Sequence, residues 1–141
     1  MDNSLNDYVG ILEKNLAQNI REDDYSFLDF LHEQRIWKQE EYWKVEFALA
    51  KIASSQIYSE AFPPEIVCVV WKIFSFIMAS FSWHFDSEDT FRIKNLSDEE
   101  IRELRERVIN VFEGFMCRNF PNQDIFEVEN PLLQNQPKNR S

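Results

Sequence analysis

The apolar positions of this chain follow a helical period over most of its length. Tyr8, Ile11, Leu12, Leu16 and Ile20 recur at i, i+3, i+4, i+8 and i+12, which is one face of a helix. Gly10 weakens that helix by up to ~1 kcal/mol relative to alanine, so its start is loosely specified. A second, short helix is predicted over residues 26–36, with Ser26 and Asp29 as an N-cap pair. Phe27, Leu28, Phe30 and Leu31 give it a narrow apolar stripe. A third helix, at about 39–56, carries Tyr42, Val45, Leu49 and Ile52 in register, widened by Trp43, Phe47 and Ala50. Glu40 and Lys44 stand four apart in the favourable order, worth only ~0.2–0.5 kcal/mol.

Pro63 and Pro64 then interrupt the chain, and Pro64 suits the first turn of a following helix. The run 66–83 has Lys72 as its one charge and is long enough to span a bilayer. It also contains Ser75, Ser80 and Ser82 and lacks the flanking basic residues that anchor a span. It therefore reads as the central helix of a bundle, buried on most sides. Ser97-Asp98-Glu99-Glu100 is a capping box that opens the last long helix. Ile101, Leu104, Val108, Val111, Phe112 and Phe115 keep its period, Glu103 and Arg107 pair on its wet side, and it should end near Arg118, before Pro121.

Between the two long helices, Phe81, Trp83 and Phe85 alternate with polar residues, as do Phe91 and Ile93. The alternation fits a short hairpin around Asp86 to Asp89, or equally an extended loop pinned by aromatics. After Pro121 the chain turns rich in Asn, Gln and Pro. There Ile125-Phe126-Glu127-Val128 is a candidate docking arm, and 134–141, without an apolar residue, is expected to be mobile. The expected fold is thus all-α: a single-domain bundle of four or five helices around a buried central helix at about 64–83. A short β-ribbon at about 82–94 stays open. Residues 1–120 form the helical domain and 121–141 an arm or tail.

Composition changes this picture mainly through charge. The chain has 141 residues, 25 acidic and 15 basic, with a formal net charge of −10. That balance argues against direct contact with nucleic-acid phosphate or an anionic membrane surface. Two glycines cannot build a phosphate-binding loop. Cys68 and Cys117 lack metal or redox spacing and are expected to be buried, reduced thiols, as in a cytoplasmic protein. The acidic start, Met1-Asp2-Asn3-Ser4, does not have the layout of a secretory signal.

Residue types that carry chemistry are scattered. His84-Phe85-Asp86 with Glu88 and Asp89 offers oxygens and one imidazole to a divalent metal, but an acidic capping loop explains it more simply. His32 ends a short helix, where a charged imidazole suits the dipole. Ser54, Ser55, Ser80 and Ser82 lie on predicted helices rather than on a strained nucleophile turn. The paired acids Glu40-Glu41 and Glu99-Glu100 point about 100° apart on a helix and read as solvated face or cap. No catalytic residue, metal site or cofactor is assigned, and the chain is not expected to be an enzyme.

A surface argument remains. Glu22-Asp23-Asp24-Tyr25, Glu40-Glu41-Tyr42-Trp43 and Asp86-Ser87-Glu88-Asp89 set acids beside or near aromatics. Acids steer a basic partner, and desolvated tyrosine or tryptophan can anchor it. The simpler account makes those aromatics core and the acids solvated face. The candidate binding residues are Glu22, Asp23, Asp24, Tyr25, Glu40, Glu41, Asp86, Glu88 and Asp89.

The stretch 27–53 resembles bacterial immunity proteins of polymorphic-toxin and contact-dependent growth inhibition systems. The similarity lies in His32-Glu33, Trp37 and Glu41-Tyr42-Trp43-Lys44, which leads into a small-residue helix. It continues in His84-Phe85-Asp86, Phe91, Ile93 and Asn95-Leu96, before the acidic-basic last helix. Together these cover about two-thirds of the chain. The resemblance implies a small cytoplasmic protein that binds the C-terminal domain of one cognate toxin and blocks it. The sequence leaves the oligomeric state open, with a monomer favoured. Such toxins are often tRNases or DNases with basic clefts, which an acidic inhibitor complements. The alternative is a helical adaptor or regulator that binds a host peptide or protein, for which an exposed apolar groove is expected.

Overall fold

The computed structural model describes residues 3–134, which form a single all-α domain with no strand among them. Six helices follow in order among the described residues: α1 (Asn3–Lys14), α2 (Phe27–Asp29, widening into a π-helical turn, Phe30–Gln34), α3 (Gln39–Ala53), α4 (Pro64–Phe85), α5 (Asp98–Met116) and α6 (Pro131–Gln134). Short 3₁₀ turns lie at Glu22–Asp24, Gln56–Tyr58 and Gln123–Ile125. The expected mobile tail lies largely outside the described residues, as does the start of the N-terminal segment.

Local chemistry sets the helix starts. Ser26 accepts from the Asp29 amide while Asp29 accepts from the Ser26 amide at 2.9 Å, and Ser97 and Glu100 repeat the arrangement on α5. Pro64 occupies the first turn of α4. The ends answer to tertiary contacts. α1 stops at Lys14 because the Asn15 side chain turns back on the Ile11 carbonyl and also takes the Leu28 amide, both at 3.0 Å. Gln18 then adopts a left-handed φ of 53°, so the expected apolar face is cut short and Ile20 stands 92% exposed. α5 ends in a Schellman turn: the Asn119 amide reaches the Gly114 carbonyl at 2.8 Å, with Arg118 left-handed at φ 61°. Gly114 is required there, because a Cβ would lie 2.7 Å from the Asn119 oxygen.

α1 packs along α3, and α4 lies against α5 and α1 around a core of Leu12, Leu31, Tyr42, Leu49, Ile52, Ile73, Ile77, Val108 and Phe115. Trp37 stacks on Phe81 at 5.6 Å and closes that core at one end. Three expectations need correction. α4 is long and apolar enough by composition to cross a membrane, yet it is not buried on most sides: its neighbours cover one face and leave Trp71 60% exposed. No ribbon forms at 82–94, since α4 continues to Phe85 and the rest is a loop. That loop is the pinned alternative, held by buried Phe91 and Ile93. Finally, Cys68 and Cys117 are exposed, Cys68 on the uncovered face of α4 and Cys117 just past the end of α5.

Candidate interaction surface

One end of the bundle gathers the acidic segments. The C-terminus of α4 and the N-termini of α3 and α5 meet there, because the α2–α3 connection is sewn to the α4–α5 loop. Asn95 takes the Trp37 amide and donates to the Trp37 carbonyl, each at 2.9 Å. The Lys94 amide reaches the Arg35 carbonyl at 2.8 Å, and the Arg35 guanidinium reaches the Thr90 carbonyl at 3.4 Å. Gln34 holds Glu22 at 2.8 Å, which ties the Glu22–Asp24 turn to the same end. The three segments singled out in the sequence are therefore linked through short contacts.

They are not equivalent. Asp23, Asp24, Glu40 and Glu88 are exposed, with no hydrogen bond from their side chains among the described residues. Glu41 is half-buried and paired with Lys44 at 2.9 Å, so the expected Glu40–Lys44 pair is replaced by an i, i+3 contact. Asp86 accepts the Glu88 amide at 2.9 Å and Asp89 the Phe91 amide at 2.8 Å, so both carboxylates shape the loop. Tyr25 is half-buried, edge-on to Phe30 at 5.3 Å. Desolvation first, then the charges of Glu33, Asp29 and Glu22, holds its hydroxyl above the usual tyrosine range.

Charges of the opposite sign at this end are partly occupied. The Arg92 guanidinium turns back to the Asp89 carbonyl at 2.9 Å, and Lys38 lies over the Phe30 ring at 5.2 Å. His84 does not join the acidic loop. It is buried, accepts the Ile93 amide at Nδ1 and so donates from Nε2 to Asp98, both at 2.9 Å, fastening the end of α4 to the start of α5. Among the described residues, no three His, Cys, Asp or Glu side chains converge in a geometry that could hold a metal ion.

The aromatics predicted beside the acids serve the core instead. Tyr42 is fully buried, and Trp43 forms one wall around Arg107. Arg107 overturns the expected surface pair with Glu103: it is buried and makes two hydrogen bonds to Glu46, at 2.7 and 2.9 Å. Its guanidinium lies between Trp43 at 4.7 Å and Phe126 at 4.1 Å, and also holds the Val128 carbonyl and the Gln123 side chain. Asn130, fully buried, completes the contact by donating to the Trp43 carbonyl at 2.9 Å. The candidate arm therefore docks through Phe126 and its backbone, while Ile125 and Val128 stay exposed.

Sequence reasoning missed the seam between α4 and α5. An open groove of about 940 Å³ runs there, floored by Met78, Phe81, Phe85 and Ile109. Asp86, Glu99, Glu103 and Glu106 line it together with Arg102 and Arg105. The available signal was the spacing of Trp71, Phe74, Met78, Ser82 and Phe85, a second stripe on α4 besides the core stripe.

The sequence model of the Immunity protein 41 family matches residues 14–130, and the chain belongs to that family. Its members are named for immunity, which implies neutralisation of a cognate toxin by a generally non-catalytic protein. No curated protein and no solved structure matches the chain.

Proposed function

We propose that this protein neutralises a nuclease toxin, a tRNase or DNase, in the cytoplasm by occupying its basic active-site cleft. The observation that carries this reading is the net charge of −10, with exposed carboxylates of Asp23, Asp24, Glu40 and Glu88 gathered at one end of the bundle. A nuclease cleft must attract phosphate, so a protein that presents carboxylates competes for the same field. The wider acidic set, with Glu22, Glu41, Asp86 and Asp89 and with Tyr25 beside it, forms the proposed contact region. The adaptor reading asks for an exposed apolar groove; the α4–α5 seam has an apolar floor between charged walls, and membership of an immunity family favours a toxin as its occupant.

The test is co-expression of the chain with the toxin domain encoded beside its gene, followed by co-purification and nuclease assay. The expected result is a 1:1 complex in which cleavage of tRNA or DNA is abolished and returns when the toxin is released. A toxin that binds the chain but cleaves no nucleic acid would contradict the nuclease assignment, and failure to bind would remove the whole reading.

A further inference from the structure

The aromatics within the acidic segments offer little to hold a partner, because Tyr42 is buried and Tyr25 and Trp43 are half-buried. The exposed aromatics lie on α4, where Trp83, at the bundle end, is 38% exposed and edge-on to Phe91 at 5.7 Å. Trp71 and Phe85, 60% and 39% exposed, stand at opposite ends of one α4 stripe. Fourteen residues of helix separate them, or about 21 Å. Trp71 leans on Phe74 at 5.9 Å, and Phe74 on Phe112 of α5 at 5.4 Å, so the stripe follows the α4–α5 seam, with Trp71 about two turns of helix before the groove, whose lining begins at Met78. Met78, Phe81 and Ile109 continue its apolar floor to Phe85.

The charge along this floor selects its occupant. Glu99, Glu103 and Glu106 follow one another along α5 and Asp86 closes the mouth. Of the two arginines beside them, Arg102 is laid over the Phe85 ring at 5.1 Å. Four carboxylates against two guanidinium groups leave the groove acidic, and they border a long apolar strip. An amphipathic helix with apolar residues on one face and Lys or Arg on its flanks fits this combination.

We propose that the α4–α5 groove is the anchoring surface for the toxin and takes a basic amphipathic segment of it, with Trp71 and Phe85 as the two end anchors. This rests on the toxin-neutralising reading above and deepens it: acids at the bundle end set how fast the toxin arrives, and the groove sets how long it stays. Buried aromatic anchors act mainly on dissociation, whereas rim charges act on association.

The test measures association and dissociation rates of the full-length chain with the toxin domain released from the co-purified complex by denaturant and refolded. Trp71→Ala and Phe85→Ala alter exposed side chains, and thermal melts check that each variant folds. Each is expected to raise the dissociation rate by about 10-fold or more and to change the association rate less than about 3-fold. Ile20→Ala, an exposed apolar residue off the seam, should leave both rates unchanged. Glu103→Lys with Glu106→Lys should weaken binding further as salt is lowered. If the wild-type chain binds the toxin and both aromatic variants bind with wild-type dissociation rates, the groove assignment is wrong while the neutralising reading stands. If the chain binds no toxin, both fall together. If sedimentation shows that the chain alone dimerises and Trp71→Ala abolishes the dimer, the groove belongs to a second copy and the proposal is overturned.

Discussion

Glu46 of α3 and Arg107 of α5 form a two-pronged ion pair inside the bundle, with N–O distances of 2.7 and 2.9 Å. The pair joins two helices and a third segment, because the same guanidinium holds the Val128 carbonyl and packs on Phe126. With both side chains buried, each charge is compensated by the other, and Glu46 accepts two hydrogen bonds from Arg107. Removing one partner strands a charge, and this costs more than the pair contributes over an apolar substitute. Arg107→Met and Glu46→Leu should each lower stability by about 3–5 kcal/mol in urea unfolding. The double variant should recover part of the loss. Arg107→Lys should not rescue, since an ammonium cannot reproduce the fork or the stacking between Trp43 and Phe126.

The two glycines should respond in opposite directions. A Cβ on Gly10 meets nothing within 4 Å, so Gly10→Ala should stabilise α1 by about 0.5–1 kcal/mol. On Gly114 it would collide with the Asn119 carbonyl and the Pro121 ring, each at 2.7 Å. Gly114→Ala should therefore cost about 1–3 kcal/mol despite its better helix propensity. Thermal melts of the two variants, moving in opposite directions, check this.

Tyr42 predicts a loss of stability at high pH. Its hydroxyl is buried without a hydrogen-bond partner of regular geometry, and burial, followed by the charge of Glu46, holds it well above the usual tyrosine value. Below pH about 10 the hydroxyl is protonated in both folded and unfolded chains and contributes no pH dependence. Above that value the unfolded tyrosine ionises while the folded one retains its proton, so stability falls as pH rises. Tyr42→Phe should flatten that fall and lie within about 1 kcal/mol of wild type at pH 7, since the contact of the hydroxyl with Glu46 is not a hydrogen bond of regular geometry. Urea unfolding of both proteins from pH 7 to about pH 11 gives the comparison.

Ser97→Ala tests the capping box of α5. The Ser97 hydroxyl takes the Glu100 amide at 3.1 Å, and Glu100 takes the Ser97 amide at 2.8 Å. The loss should be about 0.5–2 kcal/mol, with faster amide exchange in the first turn of α5.

Features set by near neighbours were legible in the sequence. The Ser26–Asp29 and Ser97–Glu100 boxes, the Pro64 start and the α5 stripe all depend on residues within a few positions. Features decided by distant partners were not legible. Arg107 stands one turn from Glu103 and looked like half of a surface pair, because nothing local points to Glu46 in another helix. The expectation that α4 is buried on most sides fails at Trp71, because the apolar excess of the helix does not reveal which side is left uncovered. Among the candidate site residues, the acidic character of three segments could be read directly. Their division into outward carboxylates, such as Asp23 and Glu88, and loop-shaping ones, such as Asp86 and Asp89, required the tertiary structure.

If acidic residues at the bundle end stand in for nucleic acid in a basic cleft, the association rate with the toxin domain must depend on them and on ionic strength. The comparison is between wild type and a variant with Asp23, Asp24, Glu40 and Glu88 changed to Lys. Wild type should associate fast at low salt and slow steeply as salt is added, while the variant should associate at least about 10-fold more slowly and with a much flatter salt dependence. Equal rates and equal salt slopes for the two proteins would contradict the claim.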